Sequence, residues 1–247
     1  MAPGDRSHLR EPCVPSGDGE RRTASVVGDS IALSWVPALR SALGSGWEVT
    51  VLGLQGCPAA STRVGEVRDR TTFTDDCEKM RESDLAAVAA AKPDLIVFAS
   101  ALGPYKTLES GKTGASAQAE WTSATLRSIE AVYSVGAPVV VIGNPPEGRR
   151  VTDCALRIFG PERCASTIAA VDREKRAAEV EAVRQATAQG LPAAYIDPEP
   201  WFCTSDGSCP IRVGDVIVRL DSSHLTQSSS ESLGGVLRSA LAAARVV

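Results

Sequence analysis

The chain has 247 residues, of which 43% are apolar and only 4% are aromatic. This length and composition allow one α/β domain or two small ones, with Ala, Val and Leu as the main core residues. The formal net charge is −4, which argues against the basic face that nucleic-acid binding needs, so no nucleic-acid partner is expected. No apolar stretch approaches the ~20 residues that span a bilayer, and no hydrophobic segment opens the chain, so neither a membrane span nor a signal peptide is predicted.

Residues 1–22 are rich in Pro, Gly and charge and have no apolar period, which predicts a flexible linker. From residue 23 onward, short apolar runs alternate with helix-like segments. The predicted strands are Ala24–Val27, Val49–Leu54, Asp94–Ala99, Pro138–Gly143 and Ala193–Asp197. The predicted helices are Ile31–Leu43, Glu78–Ala91, Gln118–Val135, Ser166–Gln189 and Ser229–Ala243. This alternation predicts one domain over residues 23–247, with a parallel sheet of about five strands covered by helices on both faces.

Two segments interrupt the alternation, Pro145–Cys164 and Pro198–Asp221. The second runs into alternating residues around Gly214-Asp215, which predicts a small hairpin insertion. Insertions at strand ends are where α/β domains carry their chemistry.

The first predicted strand ends in Gly28-Asp29-Ser30, where a helix begins. A serine at a helix start can be a simple N-cap. Here Asp29 is the more natural cap, which leaves the Ser30 hydroxyl to point outward. The free N–H groups of a helix N-terminus can also stabilise an oxyanion, so Ser30 is a candidate nucleophile.

Asp221 and His224 supply a carboxylate and an imidazole three residues apart near the other end of the chain. At that spacing both side chains can lie on one side of a turn. The alternative interpretation is a capping Asp followed by a surface His. The only other histidine is His8, in the predicted linker, so His224 is the candidate base for Ser30.

Six of the seven cysteines fall into near-neighbour pairs in loop-like sequence. These pairs are Cys57 and Cys77, Cys154 and Cys164, and Cys203 and Cys209. Six cysteines allow 15 pairings, so the sequence leaves the connectivity open. Cys13 is left over and is expected to be unpaired. A zinc site is disfavoured because no CxxC motif occurs and no histidine lies near the pairs, and no metal is expected. Disulfides indicate an oxidising, extracytoplasmic setting.

Val27-Gly-Asp-Ser30 and Asp221-x-x-His224 resemble the first and last motifs of the SGNH (GDSL-type) hydrolase family. The resemblance covers about Ala24 to Val247. It implies a three-layer α/β/α flavodoxin-like fold and a catalytic triad of Ser30, His224 and Asp221, with no cofactor.

The same resemblance implies an oxyanion hole formed by the backbone N–H groups of Ser30 and of a glycine after the second strand. Gly56 matches that glycine best and Gly53 less well, although Gly56 can also be an ordinary turn residue. The family's third motif, Gly-x-Asn-Asp, is absent, because residues 98–105 read Phe-Ala-Ser-Ala-Leu-Gly-Pro-Tyr. Asn144 is a candidate additional donor, with a structural role as the alternative.

Cys57-Pro58, the Asn144-Pro-Pro loop, the later cysteine pairs and the Leu after His224 resemble one branch of this family. That branch is the extracytoplasmic SGNH domain fused to acyltransferase-3 membrane proteins. It implies an O-acyltransferase that passes an acyl group, often acetyl, from an acyl donor to a sugar hydroxyl of a cell-surface or exported glycan. It also implies a tether to the membrane in the full-length protein, and weak esterase activity in the isolated domain.

Three alternatives remain open on the sequence. The first is a secreted carbohydrate or lipid esterase, whose chemistry is identical up to the acyl-enzyme. The second is a non-catalytic glycan-binding module, supported only by the missing asparagine. The third is a cytosolic flavodoxin-like binding protein, which the cysteines and the lack of a phosphate-binding glycine loop disfavour.

Overall fold

The computed structural model describes residues 21–65, 72–154 and 161–247. The predicted linker, with Cys13, lies outside the described residues except for its last two positions, and Arg22 already begins the first strand.

Strands and helices alternate along the described residues. In chain order they are β1 (Arg22–Gly28), α1 (Ser30–Leu43), β2 (Trp47–Leu52), α2 (Phe73–Ala91), β3 (Leu95–Ala99), α3 (Leu102–Lys106), α4 (Gly114–Ala131), β4 (Val139–Ile142), α5 (Val151–Cys154), β5 (Ser166–Thr167), α6 (Ala170–Ala188), β6 (Ala193–Ile196), α7 (Glu199–Phe202), β7 (Ser208–Cys209), β8 (Arg212–Val213), β9 (Val216–Ile217), α8 (Gln227–Ser232) and α9 (Gly234–Ala243). Two short 3-10 turns lie at Tyr133–Val135 and Pro161–Cys164.

The central sheet confirms the prediction of five parallel strands. Its order is β2-β1-β3-β4-β6, and every neighbouring pair is parallel. The chain moves outward from β1 to β2 and then returns to place β3 on the other side of β1. The loops after β1 and β3 therefore diverge at the carboxyl edge, where flavodoxin-like sheets leave a crevice.

Helices cover both faces of the sheet, as predicted. Successive strand residues point to opposite faces, so Val26 and Val97 pack with α1 and α9, whereas Val27 and Phe98 pack with α2, α4 and α6. The inner strands β3 and β4 read as continuous apolar runs because both of their faces are buried. The edge strand β2 instead alternates partly buried and exposed residues over its first four positions.

Two helices begin at least a full turn earlier than predicted. The helix α2 starts at Phe73 rather than Glu78, and α4 starts at Gly114 rather than Gln118. The first turn of α2 contains two aspartates, which suit the positive end of a helix dipole. Their polarity hid this turn from an apolar pattern.

Helix α6 begins later than predicted, at Ala170 instead of Ser166, because the preceding residues form β5 and pair antiparallel with β7. The predicted last helix, Ser229–Ala243, is divided at Leu233 into α8 and α9. A Cβ atom on Gly234 would lie 2.0 Å from the Ser41 hydroxyl oxygen, so the division brings α9 close against α1.

The small hairpin is confirmed by β8 and β9, which pair across Gly214-Asp215. Each of the three near-neighbour cysteine pairs is joined by a disulfide, as Cys57–Cys77, Cys154–Cys164 and Cys203–Cys209. Among the described residues, no helix is both long enough and apolar enough to cross a membrane.

Candidate active site

Ser30 is the first residue of α1, directly beyond the end of β1. Asp29 is the N-cap, and its Oδ1 accepts a hydrogen bond from the Ile31 N–H at 2.9 Å. Gly28 has φ 153°, and a Cβ atom there would lie 1.9 Å from the Ala99 carbonyl oxygen. Only glycine fits this close approach of β1 to β3, and it sets the direction in which Ser30 leaves the sheet.

The structure brings Ser30 together with the two residues that sequence analysis paired with it. His224 Nε2 lies 2.7 Å from Ser30 Oγ, and His224 Nδ1 lies 2.7 Å from Asp221 Oδ2. An ionised carboxylate can only accept hydrogen bonds. In the neutral imidazole, Nδ1 therefore carries the proton, and Nε2 is free to accept the proton of the serine hydroxyl.

The Asp221 carboxylate is held in a tight turn. Its Oδ1 accepts hydrogen bonds from the backbone N–H groups of Ser223 at 2.8 Å and His224 at 2.9 Å. Partial burial raises the pKa of Asp221, but these two N–H groups and the imidazole outweigh it and lower the pKa to about 2. Asp221 is therefore ionised throughout the neutral range and can orient the imidazole.

Asp29 was predicted as a cap, but it also joins two loops of the site. Its Oδ2 accepts a hydrogen bond from the Ala101 N–H at 2.8 Å, beyond the end of β3. Burial raises the pKa of Asp29 to about 6, against the opposing effect of the Ala101 and Ile31 N–H groups. Sequence reasoning missed this second contact, since it depends on β3 lying next to β1.

Two backbone N–H groups are available near the ends of β1 and β2. Ser30 is the first helical residue, so its N–H has no acceptor within α1. Gly56 lies in a turn closed by the Cys57 N–H, which donates to the Leu54 carbonyl at 2.9 Å. Within the described part of the chain, the Gly56 N–H has no hydrogen-bond acceptor. The φ of Gly56 is 78°, which favours glycine there.

Asn144 is buried in a polar cluster and engaged on every side. Its Nδ2 donates to the Pro145 carbonyl at 3.1 Å and to Asp172 Oδ1 at 3.3 Å. Its Oδ1 accepts from Lys175 Nζ at 3.1 Å. Both amide hydrogens are used within the protein, which favours the structural alternative for Asn144 over the additional oxyanion donor.

Ser100 stands in the segment that lacks the expected asparagine. It is buried, and its Oγ accepts a hydrogen bond from the Ala59 N–H at 2.9 Å. This contact ties the end of β3 to the chain three residues beyond Gly56. Sequence analysis did not single out Ser100, although its place directly after β3 was a signal that could have found it.

No group of three or more His, Cys, Asp or Glu residues with metal-binding geometry occurs among the described residues. The chemistry that the arrangement supports is nucleophilic catalysis by a serine with an adjacent, oriented base.

Residues 2–239 match the family model described as the SGNH domain fused to AT3 domains. The chain therefore belongs to this family of SGNH domains, and the triad motifs identified in the sequence lie within the matched region. Family membership makes it an enzyme of the SGNH acyltransferase and esterase type. No curated protein matches the sequence.

Solved structures that share the fold include an acetyltransferase domain and a carbohydrate esterase. The periplasmic domain of the lipopolysaccharide acetyltransferase of Salmonella ser. Paratyphi A superposes with a TM-score of 0.67 at 16% identity, over 93% of this chain and 86% of that one. A family two carbohydrate esterase from Clostridium thermocellum, in complex with cellohexaose, superposes with a TM-score of 0.54 at 13% identity, over 92% of this chain and 66% of that one. At these identities the likeness concerns the fold.

Proposed function

We propose that Ser30, His224 and Asp221 form a catalytic triad that transfers an acyl group, often acetyl, to a sugar hydroxyl of a cell-surface or exported glycan. The observation that carries the proposal is the continuous contact from Asp221 through His224 to Ser30, with both heavy-atom distances at 2.7 Å. These distances lie within the reach that nucleophilic catalysis by serine needs.

In the first half-reaction, Ser30 Oγ attacks the carbonyl carbon of the acyl donor while His224 Nε2 takes the hydroxyl proton. Asp221 stabilises the imidazolium that forms. The tetrahedral intermediate collapses when the bond to the donor's leaving oxygen breaks, and the imidazolium returns its proton to that oxygen. The product is an ester on Ser30.

In the second half-reaction, a sugar hydroxyl gives its proton to His224 and attacks the Ser30 ester. The acyl group moves to the sugar, and Ser30 Oγ regains the proton from the imidazolium. The Ser30 and Gly56 N–H groups would stabilise the negative oxygen in both halves. With water in place of the sugar, the same steps give an esterase.

Several features support a sugar as the acceptor. The family to which the chain belongs is fused to AT3 domains, and one structure of the same fold is the periplasmic domain of a lipopolysaccharide acetyltransferase. The side chains of His224 and Asp221 are 30% and 38% exposed, so a large glycan could reach the serine. An AT3 membrane domain in the full-length protein would then supply the acyl donor and tether the domain.

Three disulfides and the periplasmic origin of the structural neighbour indicate an extracytoplasmic domain. Membrane tethering is part of the proposal. A second candidate, a secreted carbohydrate esterase, is supported by the shared fold with the Clostridium thermocellum enzyme and by the identical chemistry up to the acyl-enzyme.

The test compares the wild-type protein with Ser30→Ala and with Ser123→Ala, a matched control on the exposed side of α4. The wild-type protein and the control are expected to hydrolyse p-nitrophenyl acetate and to react with a fluorophosphonate, with the label on Ser30. The Ser30→Ala variant should do neither while keeping its circular dichroism spectrum. Full activity in folded Ser30→Ala would refute the proposal.

Adding a soluble oligosaccharide to the wild-type reaction separates the two candidates. Mass spectrometry of the sugar is expected to show O-acetylation that competes with release of acetate. Release of acetate alone, at every acceptor concentration and with several glycans, would favour the esterase.

A further inference from the structure

The hydroxyl of Ser230, on α8, bonds to two backbone groups of α1. The Ala38 N–H donates to Ser230 Oγ at 3.1 Å, and Ser230 Oγ donates to the Ser34 carbonyl at 2.6 Å. In a regular helix these two backbone groups would bond to each other, since residue i accepts from residue i+4. Ser230 is 1% exposed, so water does not compete for this contact.

The sequence of α1 explains why its backbone can bond to the hydroxyl of Ser230, a residue of another helix. Pro37 lies inside the helix; it has no N–H to offer the Leu33 carbonyl, and its ring crowds that carbonyl. One turn earlier, Ser34 Oγ donates to the Ser30 carbonyl at 3.2 Å, a bond that tends to bend helices. A side chain that enters the backbone ladder is a recognised cause of a bend.

Hydrogen bonds therefore run from α8 to the nucleophile's own residue. Ser230 bonds to the Ser34 carbonyl, and the Ser34 hydroxyl bonds to the Ser30 carbonyl. The position of α8 is in this way connected to the first turn of α1, from which the Ser30 side chain projects.

At its other end, α8 is connected to the base. Thr226 caps the helix, since its Oγ1 accepts from the Ser229 N–H at 3.1 Å, and it follows His224 by two residues. The Thr226 N–H also donates to the Val218 carbonyl at 3.1 Å, and the Leu220 N–H donates to the His224 carbonyl at 2.8 Å. His224 is thus held in a short loop whose end is the start of α8.

We propose that Ser230 is a positioning residue that sets the distance between Ser30 Oγ and His224 Nε2, an inference that rests on the proposed function of this pair. It acts through α1 and does not touch the reacting atoms. Its hydroxyl is both donor and acceptor, so it fits only one longitudinal position of α8 along α1.

Apolar packing alone does not fix the position of α8 along α1. Leu225 and Leu233 lie on either side of α8, and Leu237 lies on α9; all three are buried in the core cluster that includes α1. They draw the helices together, but the hydrophobic effect has no direction. Directional bonds to Ser34 and Ala38 are needed to select the relative position of the two helices.

The variant Ser230→Ala removes one buried oxygen. The Ser34 carbonyl and the Ala38 N–H then lose this buried partner, so α1 is free to shift along α8, and Ser30 moves relative to His224. A misplacement of about 1 Å in a catalytic site can cost roughly 100-fold in rate, and we expect kcat for p-nitrophenyl acetate to fall by about 10- to 100-fold. The KM should change little, because no contact with substrate is lost.

The matched control is Ser229→Ala, at the adjacent buried position of α8. Among the described residues, the Ser229 hydroxyl makes no hydrogen bond to α1, so kcat is expected to stay close to that of the wild type. A second variant, Ser230→Thr, keeps the hydroxyl and should retain more of kcat than Ser230→Ala. Active sites are counted by complete fluorophosphonate labelling, so that a smaller folded fraction is not mistaken for a lower kcat.

Nuclear magnetic resonance of the imidazole nitrogens reports the geometry without any need for turnover. His224 and His8 are the only histidines, so the spectrum of protein with ¹⁵N-labelled histidine is simple to assign. The His224 signals are expected to move in Ser230→Ala and to stay in place in Ser229→Ala. The inference would be overturned if folded Ser230→Ala kept wild-type kcat and unmoved His224 signals. Equal losses of kcat in Ser230→Ala and Ser229→Ala would also overturn it.

A wild-type protein that hydrolyses no ester and takes no label would instead refute the proposed function. The comparison of the His224 resonances would still decide the role of Ser230.

Discussion

The Asp29 carboxylate is bonded to the Ala101 N–H at 2.8 Å, and this contact joins the turn that carries the nucleophile to the loop after β3. The other carboxylate oxygen caps α1 through Ile31. One buried side chain therefore sets both the start of the catalytic helix and its relation to the neighbouring strand. Burial opposes the ionised form, which makes the contact sensitive to pH.

The free energy of unfolding is expected to fall as pH rises from about 4.5 to about 6. Burial raises the pKa of Asp29 and of Asp84 from 3.8 to about 6. At pH values between 3.8 and about 6, the folded state binds more protons than the unfolded state, so raising the pH favours unfolding. For Asp29 the stabilisation lost is on the order of 3 kcal/mol. Carboxylates with lowered pKa, such as Asp221, lose their stabilising effect only as pH falls below about 4.

Urea unfolding at a series of pH values, followed by circular dichroism, measures this effect. The variant Asp84→Asn should remove part of the slope and leave esterase activity unchanged. A free energy of unfolding that rises steadily from pH 4.5 to 6 would contradict the assignment of the two raised pKa values.

The variant Asp221→Asn is expected to lose up to about 10⁴-fold in kcat, no more than Ser30→Ala loses. An amide would offer an N–H to His224 Nδ1, which favours the tautomer with its proton on Nε2 and leaves no acceptor for the serine. The kcat for p-nitrophenyl acetate is the measurement, and Ser222→Ala, an exposed position in the same turn, is the control. Because the triad acts as a unit, Ser30→Ala combined with His224→Ala should be no slower than either single variant. Losses that multiply would argue against a shared mechanism.

Gly56 is expected to matter for catalysis and Asn144 mainly for stability. Loss of one oxyanion donor costs about 10²- to 10³-fold in kcat, so Gly56→Pro should lose that much activity. The positive φ of Gly56 strains any replacement, and proline cannot adopt it. The matched variant is therefore Gly56→Ala, which carries part of the strain and keeps the N–H.

The variant Asn144→Ala should lower the melting temperature and reduce kcat by less than Gly56→Pro does. If Asn144→Ala proved the more damaging to kcat while Gly56→Pro stayed active, the oxyanion hole would be wrongly assigned.

Peptide mapping without reduction is expected to find the three described disulfides, and thiol counting one free thiol, at Cys13. The Cys57–Cys77 bond should matter most for activity, because Cys57 directly follows Gly56. Replacing both of these cysteines by alanine should lower kcat more than replacing Cys203 and Cys209. Seven free thiols in protein from an oxidising host would overturn the extracytoplasmic assignment.

The sequence by itself determined the parallel α/β architecture and the members of the candidate triad. The spacing of apolar residues and the short apolar runs are local properties of the sequence. They therefore mark β1, α1 and the other main elements to within a few residues. Only two histidines occur, and a serine at a strand-to-helix junction is a local signal. These features needed no knowledge of which distant segments meet.

Only the tertiary structure decided the contacts between residues that are far apart in the sequence. It selected one of the 15 cysteine pairings, since a disulfide requires the two Cα atoms to lie within about 7 Å of each other and the three pairs lie at 5.3, 5.3 and 4.1 Å. It engaged Asn144 with Asp172 and Lys175, and it placed Ser230 between Ser34 and Ala38 across 196 and 192 positions of the chain. Such contacts depend on the packing of whole helices and strands, whose combined geometry no local pattern records.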